Sequence, residues 1–411
     1  MERIRKAFSS PAGISITSSV LAAAGGLLFG LLLLLCFRPA SAFTGFLNIL
    51  TTGFSSPAKL SKVLYQSAPL VLTGLSVGFA FKTGLFNIGA TGQYIIGTLC
   101  ALYTAIIWGF PWWAAMLAAA VGGAVWGSIP GICKALFNVN EVITSIMFNW
   151  IALYTIILVF NNTPAILDPV GNRTMNLAAA NPGAIIPKWG LDELFGSQYM
   201  NISFFIAVAA AAVIYVVLNK TIFGYELKAC GSNRDASRYA GINAKRNIIL
   251  SMVISGALAG IAGAIYYLSG TVQYNLEKNL PSPAMGFNGI PVALLAASHP
   301  LGTVFSALFI SYIQVGGETL QPTFAKENID IIISVIIYFS AFAMLTRMLL
   351  QRLLSHKKEL GSQAVPAAVT AAGAVPGEDK TTADDNASAF GVAGNEDNID
   401  NTDNESGVSG Q

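Results

Sequence analysis

Ten apolar runs, most of them close to the length needed to cross a bilayer, constrain the fold of this chain more than any other feature. They cover roughly residues 20–37, 63–81, 87–107, 112–132, 142–160, 202–219, 248–268, 284–297, 301–316 and 329–346. Only helices and closed barrels can span lipid, because lipid offers no hydrogen-bond partner to an unpaired backbone. The chain is 54% hydrophobic and 11% charged, which is typical of membrane proteins. The sequence therefore predicts an all-α, polytopic membrane protein with about ten transmembrane helices.

The basic residues are unevenly divided between the two sides of these spans. If the N-terminus is inside, fifteen Lys and Arg residues face the cytoplasm and seven face the opposite side. We therefore expect cytoplasmic termini, with residues 1–19 as the N-terminal segment, 20–346 as the transmembrane domain and 347–411 as a basic segment followed by a disordered acidic tail. Residues 161–201 form the longest outside loop, either a landing site for a partner or a spacer.

A polar segment within residues 220–247 interrupts the apolar pattern and is predicted to be a cytoplasmic loop. Ser232 can cap a helix with Asp235 as its capping-box partner, and Gly241 is placed to end that helix. The helix would have roughly two turns, which is marginal alone in water. We therefore expect a soluble protein to dock against it.

Spans two to five and spans seven to ten enter the membrane from opposite sides, as expected of an inverted repeat. In each group the second helix opens with an irregular segment, at residues 84–93 and 281–291. Paired broken helices point to a substrate path, although the glycines could instead serve close helix packing. The predicted path residues are Asn87, Gln93, Asn149, Phe287 and Asn288.

The expected chemistry is binding and release rather than catalysis. The chain has no phosphate-binding G-x-x-x-x-G-K-[ST] motif, and its two histidines and four scattered cysteines form no catalytic or metal pattern. We expect no cofactor, no metal and no nucleic acid partner. Glu141 is the one candidate for ion coupling, and its position after Asn140 favours a helix start. An uncharged path suits a neutral, polar small molecule.

Five ordered blocks resemble a known family. They read GLFNIGATGQYIIG from Gly84, NEVITSIMFNWIA from Asn140, ACGSNRDASRYAGINAKR from Ala229, ISGALAGIAGAIYYLSG from Ile254 and GFNGIPVALLAASHPLG from Gly286. Together they are similar to the permease subunits of bacterial ABC importers, in the branch shared by branched-chain amino acid, simple-sugar and nucleoside systems. The first two blocks look most like the nucleoside-type permeases.

This resemblance implies a nucleoside cargo, with a simple sugar or riboflavin as alternatives within the family and an ion-coupled secondary transporter as a rival outside it. It also implies a plasma-membrane location among lipid, a second and non-identical permease subunit, an ATPase often fused in tandem, and an extracytoplasmic substrate-binding lipoprotein. The family's coupling loop carries over onto Gly231, Asn233, Ala236, Tyr239 and Gly241. Asp235-Ala236-Ser237 replaces the EAA-type sequence of the broader importer class.

Overall fold

The computed structural model describes residues 11–168, 171–276, 284–321 and 324–342, together with residues 345 and 348. Helices dominate these ranges. They are α1 (Pro11–Phe37), α2 (Pro39–Thr52), α3 (Pro57–Lys82), α4 (Ala90–Ile106), α5 (Trp112–Phe137), α6 (Glu141–Asn161), α7 (Leu177–Ala180), α8 (Leu191–Phe195), α9 (Ser203–Lys220), α10 (Ile222–Ser232), α11 (Arg234–Tyr239), α12 (Ala244–Tyr267), α13 (Ala284–Phe287), α14 (Gly289–Leu295), α15 (Pro300–Glu318) and α16 (Lys326–Ala341). The predicted acidic tail lies outside the described residues.

Seven of the described helices are long and apolar enough to cross a membrane: α1, α3, α5, α6, α9, α12 and α15. The other three predicted spans fall on α4, which has 17 residues, on the interrupted pair α13 and α14, and on α16, which has 16 residues. The prediction of an all-α, polytopic membrane protein is confirmed.

The first predicted span, residues 20–37, lies within α1, whose apolar part runs from Thr17 to Phe37. Helix α2 follows in residues 39–52, a stretch in which the sequence predicted no span. With 14 residues, helix α2 is too short to register as a span. It nevertheless buries one stripe at helical spacing, Ala42, Gly45, Ile49 and Thr52.

Two helices form the centre of the bundle. Helix α3 is almost wholly buried and packs against α9, α12, α14 and α15. Helix α12 in turn packs against α3, α4 and α5. Its closest neighbour is α5, where Gly123 and Gly127 face Gly256 so tightly that an added side chain would meet backbone atoms. Small residues thus bring the two backbones together, as is usual between membrane helices.

Residues 162–202 cover one end of this bundle as an irregular segment with short helices. The amide of Asn181 donates to the carbonyls of Ala105 and Phe110, at 2.9 and 3.0 Å. The backbone N–H of Ile186 donates to Leu268 O at 2.9 Å. The segment is therefore tied to the ends of α4 and α12.

Candidate functional site

The first broken segment lies between α3 and α4. Helix α3 ends at Lys82, and α4 begins only at Ala90. Gly84 adopts a left-handed conformation with φ of +72°, which a residue with a side chain rarely accepts. The chain therefore turns sharply here without continuing the helix.

An amide cluster stabilises this segment. The side chains of Asn87 and Gln93 bond reciprocally, with Nδ2 to Oε1 at 2.9 Å and Nε2 to Oδ1 at 3.1 Å. Asn87 Nδ2 also donates to Ser76 Oγ at 3.2 Å. Asn149 reaches from α6, accepting from Gly92 N at 2.8 Å and donating to Ile88 O at 3.1 Å.

Three of the four predicted amides are buried, with exposures of 0%, 1% and 7% for Asn87, Gln93 and Asn149. The structure brings them together, and their partners are protein atoms. Broken backbone inside a membrane must be satisfied in this way. Their contact with cargo stays a prediction, because in this conformation they hold the segment in shape.

The second broken segment is described from Ala284 onward; Pro281, Ser282 and Pro283 lie outside the described residues. Asn288 separates α13 from α14 and is partly exposed, and Phe287 is exposed. A Cβ on Gly286 would lie 2.5 Å from Thr91 Cα, so this segment packs directly on the first turn of α4. The two broken segments therefore meet at Gly286 and Thr91.

Helix α14 ends at Leu295, and two consecutive left-handed residues follow its cap, Ala297 and Ser298, with φ of 50° and 55°. His299 follows and caps α15, since its Nδ1 accepts from Gly302 N at 3.3 Å. Partial burial and the nearby Lys82 ammonium lower the pKa of His299 from its ordinary value. A lowered pKa favours the neutral imidazole, and this acceptor role requires that form.

The polar segment forms two helices rather than one. Helix α10 ends at Ser232, and Asn233 caps α11 by accepting from Asp235 N at 3.0 Å and Ala236 N at 2.9 Å. The predicted Ser232–Asp235 capping box is therefore wrong. The asparagine next to Ser232 is an equally good cap and lies one residue closer to the helix.

The end of α11 agrees with the prediction. Gly241 is left-handed, with φ of +82°. Its N–H donates to Arg238 O, and Ile242 N donates to Ser237 O, both at 3.0 Å. This pair of bonds is a Schellman motif, which satisfies the last carbonyls of a helix.

Helix α10 contacts the first broken segment directly. A Cβ on Gly231 would lie 2.5 Å from Lys82 O and 2.9 Å from Gly84 N. Asn247 on α12 donates to Glu226 Oε2 on α10 at 3.2 Å, and Thr83 Oγ1 lies 2.8 Å from Ser251 Oγ on α12. Sequence reasoning placed Gly231 in the coupling loop but gave no signal of this contact with residues about 150 positions earlier in the chain.

The other predicted coupling residues face outward. Asn233, Ala236 and Gly241 are exposed, and Tyr239 is 95% exposed. Tyr225 on α10 adds a second exposed ring, at 70%. The helix pair thus packs on the broken segment through Gly231 and leaves the rings of Tyr225 and Tyr239 exposed.

Two acids at the ends of membrane-length helices, Glu141 on α6 and Glu318 on α15, are paired. Glu141 Oε2 lies 3.0 Å from Lys134 Nζ, and Glu318 Oε2 lies 2.5 Å from Lys62 Nζ. Asn140 caps α6 through Val142 N at 2.8 Å, so the predicted helix start at Glu141 is confirmed. Glu141 therefore has a local structural role in this conformation.

Comparison with known proteins supports this reading of the architecture. Residues 59–341 match the family described as branched-chain amino acid transport system, permease component. The chain is 34% identical to the guanosine ABC transporter permease protein NupP of Bacillus subtilis, over 80% of this chain and 93% of the relative. It is also 34% identical to the nucleoside ABC transporter permease protein NupB of Lactococcus lactis, over 80% and 91%.

A third relative has a different cargo in its name. The chain is 30% identical to the glucose ABC transporter permease protein TsgB13 of Haloferax volcanii, over 72% of this chain and 78% of the relative. No solved structure matches this chain. This protein is a multi-pass membrane protein with a role in transport rather than in catalysis. Since the family match covers more than half of the sequence, the chain belongs to the permease-component family of the branched-chain amino acid transport systems.

Proposed function

We propose that this chain is one membrane subunit of an importer driven by a separate ATPase, and that its cargo is a nucleoside. The contact of α10 with the first broken segment carries the proposal. A soluble motor docked on the exposed side of α10 and α11 could move the first broken segment through this contact. The movement would then reach the place where both broken segments meet.

The route has three steps. A motor bound to Tyr239, Ala236 and the Schellman turn at Gly241 moves the helix pair. Gly231 transmits that displacement to Gly84, since no side chain separates the two backbones. The amide cluster then moves with the segment, which shifts α4 against the second broken segment and opens the path on one side. Gly231 acts in this scheme through its inward contact.

The nucleoside proposal is supported by the relatives and by the absence of net charge in the amide cluster. NupP and NupB are named for guanosine and nucleosides and are both 34% identical to this chain. Asn87, Gln93, Asn149 and Asn288, with Phe287, combine amide groups with an aromatic ring, which suits a neutral heterocycle bearing hydroxyls.

A simple sugar or riboflavin is the second candidate. TsgB13 is named for glucose, and a riboflavin import permease of Treponema pallidum is 28% identical over 64% of this chain. All three cargoes are neutral or polyhydroxylated, so an amide-lined path suits each of them.

The same comparison supports a proposal about the partner subunits. The chain is similar to NupP and, at 27% identity, to NupQ, which is also a guanosine permease protein of Bacillus subtilis. Two different permeases of one organism resemble this chain, which favours pairing with a non-identical paralogue. We further propose a tandem ATPase on the cytoplasmic side and a substrate-binding lipoprotein that lands on residues 162–202.

The distribution of basic residues supports an orientation. From the fifteen-to-seven excess of Lys and Arg, we propose that both termini, the helix pair α10–α11 and residues 347–411 lie in the cytoplasm. Residues 20–346 then form the transmembrane permease domain, and residues 162–202 lie outside.

Uptake competition tests the cargo. Cells carrying the complete transporter should take up labelled guanosine, and an excess of unlabelled nucleosides should suppress that uptake. Competition by ribose, glucose or riboflavin alone would overturn the nucleoside assignment and support the second candidate.

A further inference from the structure

A cavity of about 590 Å³ lies between α1, the end of α14 and the first half of α15. Apolar side chains between Leu301 and Phe309 wall it on α15, and small residues at Ala23, Ala296 and Gly302 leave the space open. Among the described lining residues there is no lysine, arginine, aspartate or glutamate. The volume is in the range of ligand-binding pockets, and this lining suits an apolar ligand.

The floor of the cavity ties α1 to the second broken segment. Ala22 and Leu295 are both buried and pack together with Phe309. Ser19 Oγ on α1 donates to Leu295 O at 2.6 Å. Leu295 is the last residue of α14. A ligand in this cavity would therefore contact both α1 and the end of the second broken segment.

The cavity opens at the outer surface of two spanning helices. Val20 on α1 and Phe305 on α15 line it and are 63% and 73% exposed. Both helices are long and apolar enough to cross a membrane, so side chains exposed along them lie at the level of the hydrocarbon core. A lipid acyl chain can therefore enter the cavity from the side.

The cavity has the depth of one leaflet. Its lining extends from Ser19 to Ala23 on α1 and from Leu301 to Phe309 on α15, which is the first half of each helix. The two helices therefore begin on the same side of the membrane. Eight residues of helix span about 12 Å, and one leaflet of the hydrocarbon core is about 15 Å thick. A transmembrane helix of a partner would instead need a groove of about 30 Å, so the dimensions favour an acyl chain.

Basic residues concentrate on the side at which α1 and α15 begin. Residues 1–10 precede α1 and contain three basic residues and one acid. Helix α16 follows α15 after a short connection and stacks Phe339 on Phe29 of α1 at 4.7 Å, so it returns toward that side. Residues 347–358 come after it, with four basic residues and no acid. Polybasic segments beside membrane helices attract anionic lipid headgroups. The seven basic residues, all outside the described part of the chain, are Arg3, Arg5, Lys6, Arg347, Arg352, Lys357 and Lys358.

We propose that this cavity binds one acyl chain of an anionic phospholipid, whose headgroup is attracted by the basic segments at the same side. The chain fills the space between α1 and α15 and contacts Leu295 and Ala296 at the end of α14. With the orientation proposed above, the lipid belongs to the cytoplasmic leaflet. The site shares no residue with the amide cluster or with α10 and α11, and it goes beyond the proposed function.

Lipid retention by the full chain tests this proposal. The purified chain in detergent is mixed with equal amounts of phosphatidylglycerol and phosphatidylcholine of the same acyl length, and the retained lipids are counted by native mass spectrometry. We expect one phosphatidylglycerol per chain, retained with a preference of at least about fivefold, the effect of one basic contact. Equal retention of the two lipids would overturn the assignment to an anionic lipid.

Two matched variants locate the lipid. Ala23→Phe fills the cavity, and Ala24→Phe adds the same ring at the next residue of α1, which is exposed and outside the lining. Retention should fall at least about tenfold in Ala23→Phe, the effect of excluding about two methylene groups, and stay at the wild-type level in Ala24→Phe. If the larger ring lowers Tm, Ala23→Leu gives the same test with a smaller expected loss. Wild-type retention by both Ala23 variants would overturn the proposal.

A photoreactive residue at the rim distinguishes a lipid from a partner helix. Phe305→benzoylphenylalanine in the assembled transporter should form an adduct with phospholipid on illumination. An adduct with another subunit in place of the lipid would overturn the proposal. None of these measurements uses a cargo. Lipid retention without guanosine uptake would therefore count against the proposed function alone, and uptake without lipid retention against this inference alone.

Discussion

Replacement of Gly231 by alanine is expected to uncouple ATP hydrolysis from transport. The new Cβ would lie 2.5 Å from Lys82 O and 2.9 Å from Gly84 N. Both atoms belong to the backbone and cannot rotate away as a flexible side chain could. Restoring an ordinary contact of at least 3.4 Å requires α10 to retreat from the end of α3 by about 0.9 Å.

Overpacking of this kind typically costs about 1–3 kcal/mol. If the strain separates the helix pair from the broken segment, it acts on the coupling free energy between motor and path. A change of about 1–3 kcal/mol in that coupling free energy corresponds to a change of about 5–150-fold in the coupling factor. We therefore expect at least a fivefold fall in solute transported per ATP hydrolysed.

The assay measures guanosine uptake and ATP hydrolysis in the same proteoliposomes, with the complete complex. Ser232→Ala changes an exposed neighbour on α10, and Gly25→Ala adds a Cβ where nothing lies within 4 Å. Both controls should keep the wild-type ratio. A wild-type ratio for Gly231→Ala, in a complex of normal Tm, would refute the proposed route.

Three further predictions concern the same region. Gly241→Val should reduce cargo-stimulated ATP hydrolysis because a left-handed residue costs about 1–2 kcal/mol, and Gly241→Asn should be tolerated; equal activity of the two variants would contradict this reasoning. Asn233→Ala removes both capping bonds of α11 and should destabilise that helix by about 1 kcal/mol, which should appear as weaker binding of the ATPase. Unchanged affinity for the ATPase would mean that the partner, and not the cap, holds α11 in shape. Asn87→Leu leaves Gln93 unpaired and should lower Tm, whereas Asn288→Leu, at a partly exposed position, should change uptake kinetics with little effect on Tm. If Asn87→Leu changed only uptake and Asn288→Leu lowered Tm, the assignment of Asn87 to the buried amide cluster and of Asn288 to the path would be wrong.

The sequence predicted the spans well because apolar length is a local property. Glu141 was placed at a helix start and Gly241 at a helix end for the same reason, since caps depend on residues within one turn. Helix α2 was missed because its apolar stripe is short. Ser232 was chosen over Asn233 because neighbouring cap residues are hard to rank from sequence.

Tertiary contacts were beyond the reach of sequence reasoning. The pairing of Asn87 with Gln93 could be suspected from their spacing, but Asn149 joins them from another helix. The approach of Gly231 to Gly84 and the hydrogen bond from Ser19 to Leu295 depend on how separate helices pack. Period and composition carry no information on such pairs.

The central claim is that a motor outside this chain moves it through α10 and α11. The most direct measurement compares guanosine uptake into proteoliposomes that contain the complete complex with ATP against uptake by this chain alone under a proton or sodium gradient. The account predicts uptake only with the ATPase and hydrolysable ATP. Gradient-driven accumulation by the isolated chain would contradict it.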